Sequence, residues 1–113
     1  MDRSKDKIYL EHMLEAILDI EKFVSSKSYS DFTGDKLLQA GIQRKLEILG
    51  EAAKNVSQEL KEKYPEIDWK PASALRDVII HAYFDIDLES LWNTVENNLP
   101  VLKEKLNIVL NQI

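Results

Sequence analysis

The segment Arg76-Asp77-Val78-Ile79-Ile80-His81-Ala82-Tyr83 sets an arginine, an acid, a histidine and a tyrosine into an otherwise apolar stretch. Polar groups in such surroundings must be hydrogen-bonded or paired to be tolerated, so their crowding here marks a candidate site. The chain has only 2 histidines, and one of them lies in this segment. The chemistry that suits the set is metal-free cleavage of RNA. That reaction needs a base to activate the 2'-hydroxyl, an acid for the leaving oxygen and a fixed cation for the charge that develops on phosphorus. His81 can serve as base or acid. Arg76 suits the cationic role, because its planar fork matches phosphate oxygens bidentately.

On a helix turning about 100° per residue, Arg76 and Tyr83 share nearly one face, and Asp77 and His81 are neighbours one turn apart. Asp77 can accept a hydrogen bond from one imidazole nitrogen, set its tautomer and favour the protonated form. Arg76 and His81 diverge by about 140° on the same ideal helix. They converge on one ligand through the reach of the arginine, through distortion of the helix end, or across two copies of the helix. The last route points to a dimeric site, in which two copies would also supply both an acid and a base. The bland alternative is a solvated Arg76–Asp77 pair, a hydrogen-bonded histidine at a helix end and a core tyrosine. Spacing alone does not decide between them.

The elements that must position this segment read as helices. A first helix is predicted over residues 5–25, where Ile8, Met13, Leu14, Ile17, Ile20 and Val24 recur at helical spacing. A polar break over residues 25–31 follows, and residues 31–35 offer candidate N-caps for the next helix. A long second helix is predicted over residues 36–63 from the stripe Leu38, Ile42, Leu46, Leu49, Ala53, Val56 and Leu60. Gly41 and Gly50 lie inside it, and close approach of another helix is the natural reason for glycine there. Residues 64–71 form a loop bounded by two prolines. Pro71 suits the first turn of the third helix, which carries the motif. Asp87 is a good N-cap for a fourth helix through Leu88, Leu91, Trp92 and Val95. Pro100 either kinks that helix or starts a fifth through Leu102, Leu106, Val109 and Ile113. The expected architecture is an all-α bundle of four or five helices in one domain over residues 1–113.

Composition agrees. The 113 residues are 44% hydrophobic and 31% charged, with only 3 Gly and 3 Pro, which favours a few helices over many short strands. Cysteine is absent, which removes disulfides, thiolate metal sites and a thiol nucleophile. His12 and His81 share no ligand spacing, so no metal site and no cofactor is expected. The charged N-terminal residues do not resemble a signal peptide, and no run reaches the ~20 apolar residues of a membrane span. The expected location is therefore cytoplasmic. A net charge of -5 argues against broad nucleic-acid binding but leaves room for a local phosphate site. Arg44, Lys45 and Lys54 could form a basic rim for RNA, although a solvated helix face is the better reading of each. Glu51, next to Gly50, either faces the third helix and contacts Arg76 or His81, or is an ordinary exposed glutamate. His12 reads as a surface or packing residue, and Trp69 and Trp92 as packing residues rather than base-stacking platforms.

The pattern Arg76-x-x-x-x-His81-x-Tyr83 resembles the signature of the HepT toxins of the HEPN superfamily of helical ribonucleases. Leu49-Gly50-Glu51-Ala52-Ala53-Lys54-Asn55-Val56-Ser57 resembles the second-helix segment of that family. Tyr64-Pro65-Glu66-Ile67-Asp68-Trp69 resembles the loop before the motif. Tyr83-Phe84-Asp85-Ile86-Asp87, followed by Leu91-Trp92, resembles the stretch after it. The bare Arg/His spacing is a weak signal, but four segments in order are a strong one.

The resemblance implies a homodimeric HEPN-like bundle with its two motif helices facing each other. It further implies a metal-independent endoribonuclease acting on RNA, with tRNA among the candidate substrates and Arg76 and His81 as the catalytic pair. Its implied partner is an MntA-like nucleotidyltransferase antitoxin that transfers AMP from ATP onto Tyr83. Such an adduct shares a face with Arg76 and would block the phosphate site. An asparagine often follows the motif arginine in such proteins. Here the residue is Asp77, which partly neutralises Arg76 or instead tunes His81. A competing reading from another class is a non-catalytic nucleotide- or substrate-binding subunit of a minimal nucleotidyltransferase, with Arg76 gripping a phosphate and His81 structural. A third is a plain dimeric scaffold.

Overall fold

The computed structural model describes residues 5–75, 79 and 87–113, and among them every regular element is helical. The first helix, α1 (Asp6–Val24), buries Leu10, Met13, Ala16, Ile17 and Ile20. These positions recur at three- and four-residue steps and form one apolar stripe. Its partner is α3 (Lys36–Asn55), whose buried stripe is Leu38, Ile42, Leu46, Leu49 and Ala53. The two helices run antiparallel. Near one end Phe23 lies against Gly41, where an added methyl would sit 3.3 Å from the ring. In the middle Lys45 Nζ meets Asp19 Oδ2 at 2.8 Å. At the other end Asp6 meets the residue that follows α3.

That last contact corrects the expectation of one helix over residues 36–63. The chain leaves α3 at Val56 in an extended conformation, and Ser57 caps a separate helix, α4 (Gln58–Lys63). The Ser57 amide donates to Asp6 Oδ1 at 2.9 Å, and its hydroxyl donates to Asp6 Oδ2 at 2.6 Å. The same hydroxyl accepts from the Leu60 amide at 3.2 Å. Asp6 and Ser57 are almost fully buried, 3% and 1% exposed. The carboxylate is thus tolerated because both its oxygens are bonded. The apolar stripe continues through Val56 and Leu60, which remain in the core, so periodicity alone hides the break.

The supposed polar break after α1 also holds structure. Ser28 Oγ accepts from the Asp31 amide at 3.1 Å, and Asp31 Oδ2 accepts from the Ser28 amide at 2.9 Å. This capping box starts a short helix, α2 (Tyr29–Thr33). The Ser28 amide, with help from its hydroxyl, holds the Asp31 carboxyl below its ordinary pKa. Gln39 is buried and donates to the carbonyls of Phe32 and Thr33 at 2.9 and 3.2 Å, tying α2 to α3. Asp35 caps α3 by accepting from the Leu38 amide at 3.0 Å, as the candidate caps over residues 31–35 suggested.

After the loop comes α5 (Trp69–Ser73), beginning two residues before Pro71. Trp69 Nε1 donates to the Tyr64 carbonyl at 3.0 Å. Asp87, as expected, caps α6 (Leu88–Asn93) by accepting from the Ser90 amide at 3.0 Å. A wide π turn (Thr94–Asn98) then leads into α7 (Leu99–Gln112). The Leu99 amide reaches back to the Thr94 carbonyl across this turn. Pro100, which has no amide to donate, follows immediately in the first turn of α7. Trp92 stacks against Phe32 with ring centroids 4.9 Å apart, so α6 closes over α2. Leu106 and Val109 of α7 complete the core, and Lys103 bonds Glu21 of α1 at 3.0 Å. Among the described residues, short capped segments such as α2 and α4 divide the chain more finely than the predicted helices.

Candidate functional site

Arg76, Asp77, His81 and Tyr83 lie outside the described residues. What the structure does place is the ground on both sides of them. Upstream, Leu75 is buried in the core. Ile79, three residues after Arg76 and two before His81, is helical, half-buried and packed against the core. Downstream, Asp87 opens α6. The described ground around the motif is thus the buried Leu75 just after α5, Ile79 against the core, and the capped start of α6.

Gly50 sets the first of these points. A methyl group at Gly50 would meet the Ala72 carbonyl at 3.4 Å, Leu75 Cβ at 3.8 Å and the Ser73 carbonyl at 3.9 Å. The absence of a side chain there lets the end of α5 lie directly on α3, the close approach that glycine within a helical stripe suggested. Ser73 in turn donates from its hydroxyl to the Trp69 carbonyl at 2.9 Å, closing α5 on itself.

An open groove runs beside this contact, lined by Leu46, Glu47, Gly50, Glu51, Lys54, Ser73 and Ile79. Glu51 is exposed along it, and its backbone carbonyl accepts from Asn55 Nδ2 at 3.0 Å. Glu51 is thus on the same side of α3 as Ile79. A contact with Arg76 or His81 falls outside the described residues. On the other side of the Glu47–Glu51 ridge lies a second groove, where His12 and Tyr9 of α1 face Arg44, Ile48 and Asn55. His12 is exposed there, and its only histidine companion in the chain is His81. Ser73 and Asn55 were not singled out from sequence, and nothing in their local pattern distinguishes them from other helix-surface residues.

The three candidates for a basic rim separate clearly. Arg44 Nη1 bonds Glu47 Oε1 at 2.9 Å, Lys45 is engaged by Asp19, and Lys54 lines the groove that holds Ile79. Trp69 and Trp92 are packing residues, the first bonded to the Tyr64 carbonyl and the second set against Phe32 and Tyr29. Among the described residues no three His, Asp or Glu side chains gather as a metal site, and no helix is long and apolar enough to cross a membrane.

Comparison with known proteins adds the following. A family model described as ribonuclease HepT-like matches residues 13–109. A probable ribonuclease HepT of Thermococcus cleftensis is 46% identical over 99 residues, covering 88% of this chain and 90% of that protein. A gamma-glutamylcyclotransferase and putative RNase of Methanocaldococcus jannaschii is 40% identical over 111 residues, covering 98% of this chain but 50% of that protein. The chain thus spans half the length of that two-function relative. A putative RNase of the same organism is 34% identical over 109 residues, covering 96% of this chain and 100% of its own length. No solved structure matches.

Proposed function

The chain belongs to the HepT-like ribonuclease family, and from that premise we propose that it is a metal-independent endoribonuclease toxin of a toxin–antitoxin module. The observation that carries this reading is the intact Arg76-x-x-x-x-His81-x-Tyr83 pattern inside a stretch that matches the family from residue 13 to residue 109. The anchoring of Leu75 and Ile79 supports it, since a site of this kind needs its first residues held on rigid elements.

In the proposed reaction a base removes the proton of the 2'-hydroxyl, and that oxygen attacks the adjacent phosphorus. The bond to the 5'-oxygen breaks and an acid protonates it, leaving a 2',3'-cyclic phosphate and a 5'-hydroxyl. His81 fills one proton-transfer role. In a homodimer its copy on the partner subunit fills the other. Arg76 neutralises the non-bridging oxygens as charge builds on them. Asp77 and Glu51 are positioning residues for this pair, Asp77 through the imidazole. The site requires no metal and no cofactor. The antitoxin is an MntA-like nucleotidyltransferase, which would move AMP from ATP onto the Tyr83 hydroxyl with release of pyrophosphate. The added phosphodiester would occupy the charge of Arg76 and exclude RNA.

Growth after induced expression tests the biological half of this reading. Wild type is expected to arrest growth, His81→Ala to permit it, and co-expression with the nucleotidyltransferase to relieve arrest while adding AMP mass at Tyr83. Tyr83→Phe should escape that relief. Arrest that persists in a folded His81→Ala variant would remove the catalytic assignment and favour the nucleotide-binding reading.

A further inference from the structure

The three basic side chains considered on α3 occupy different places around the helix. With Gly50 as reference, Lys54 lies about 40° round, Arg44 about 120°, and Lys45 about 140° in the opposite sense. Gly50 is the residue pressed against Ala72 and Leu75, so Lys54 is one turn further along the stripe that meets α5. Lys45 faces α1 and is engaged by Asp19, while Arg44 is engaged by Glu47. Lys54 is exposed at the groove holding Ser73 and Ile79 and has no ion-pair partner among the described residues. Ile79 stands between Arg76 and His81 in the sequence.

We propose that Lys54 holds a backbone phosphate of bound RNA, so that the C-terminal half of α3 forms one wall of the RNA path. The inference rests on the ribonuclease reading and deepens it. A lysine ammonium is a compact charge on a flexible stem, suited to a backbone phosphate whose exact position varies with sequence. Lys54 takes no part in bond breaking. Its role is to draw a negatively charged strand onto a protein whose net charge is -5. Glu51, in the same groove, acts with the opposite sign on an approaching phosphate.

The test is a salt titration of binding to a fluorescently labelled single-stranded RNA with 2'-O-methyl riboses, which cannot be cut by 2'-hydroxyl attack. Lys54→Gln is expected to weaken binding several-fold at low salt. It should also reduce the slope of log affinity against log salt by about 0.7, the value for one phosphate contact on a single strand. Lys54→Arg should restore both. Lys103→Gln removes an equal charge from the contact with Glu21 and should leave the slope unchanged. An unchanged slope in Lys54→Gln, or equal losses in the two glutamine variants, would overturn the proposal, as would failure of wild type to bind RNA. A reduced slope together with no cleavage of the unmodified RNA would uphold the Lys54 contact and remove the ribonuclease reading.

Discussion

The α1–α3 pair and the ground beside the motif hold their places by different means. α1 and α3 face each other through continuous stripes in which Leu10, Met13, Ile17, Ile20, Ile42, Leu46 and Leu49 are wholly buried. Their far end is sealed by the buried Asp6–Ser57 bonds. The approach to the motif has no such stripe. α5 is five residues long, far below the length at which a helix is stable alone. It is fixed by the close approach of the Ala72 and Ser73 carbonyls to Gly50 and by the buried Ala72, with Leu75 buried just after it. The contrast teaches that stability and site placement are separable here. Damage to the pair should unfold the protein, whereas damage at the α5 contact should move the motif with a smaller stability cost.

The largest expected effect is on the pair. Ile17→Ala or Leu46→Ala, at fully buried positions, should each cost about 2–5 kcal/mol, read as a large drop in thermal midpoint by circular dichroism. A loss below about 1 kcal/mol would break the comparison by showing that the pair is not the stabilising unit. Ser57→Ala comes next. It removes a helix cap and leaves Asp6 Oδ2 buried without its partner, at about 1–3 kcal/mol, and urea unfolding would measure it.

Gly50→Leu sharpens the contrast from the other side. Its side chain must displace the Ala72 carbonyl and Leu75, at about 1–3 kcal/mol by overpacking, and cleavage should fall by more than the unfolded fraction explains. Gly50→Ala, whose methyl would sit 3.4 Å from the Ala72 carbonyl, should change stability by less than about 1 kcal/mol because the gain in helix propensity offsets the close contact. Equal activity in the leucine and alanine variants would show that α5 does not position the motif. The smallest effect belongs to the surface ion pair. Lys103→Ala should cost about 0–1 kcal/mol and leave cleavage unchanged, with chemical denaturation and RNA cleavage measured on the same sample.

Much of the frame was legible because it is local. The stripe of α1 placed its ends within a residue of Asp6–Val24. Asp35 and Asp87 cap the helices that their types and positions suggested, and Gly50 has the close neighbour that glycine inside a stripe implies. The break at Val56 was not legible from periodicity. Its decisive partner, Asp6, is 51 positions away in sequence, while Val56 and Leu60 keep the stripe unbroken. The Ser28–Asp31 capping box was readable as a motif but sits in a run of polar residues that resembles a plain turn. At the candidate site, sequence singled out Arg76, Asp77, His81 and Tyr83, which lie outside the described residues. It could not tell Lys54 from Arg44 and Lys45, since their difference arises from Asp19 on α1, Glu47 and the position of α5.

The most direct measurement is cleavage of RNA by the purified protein in EDTA, with wild type beside His81→Ala and Arg76→Ala, the product ends analysed and the mass of Tyr83 checked in the same preparation. With Tyr83 unmodified, cleavage by wild type that leaves 2',3'-cyclic phosphates, and a loss of at least about 100-fold in the His81 variant, is the expected result. Undiminished cleavage in both variants, or no cleavage of total RNA or tRNA by unmodified wild type, would contradict it.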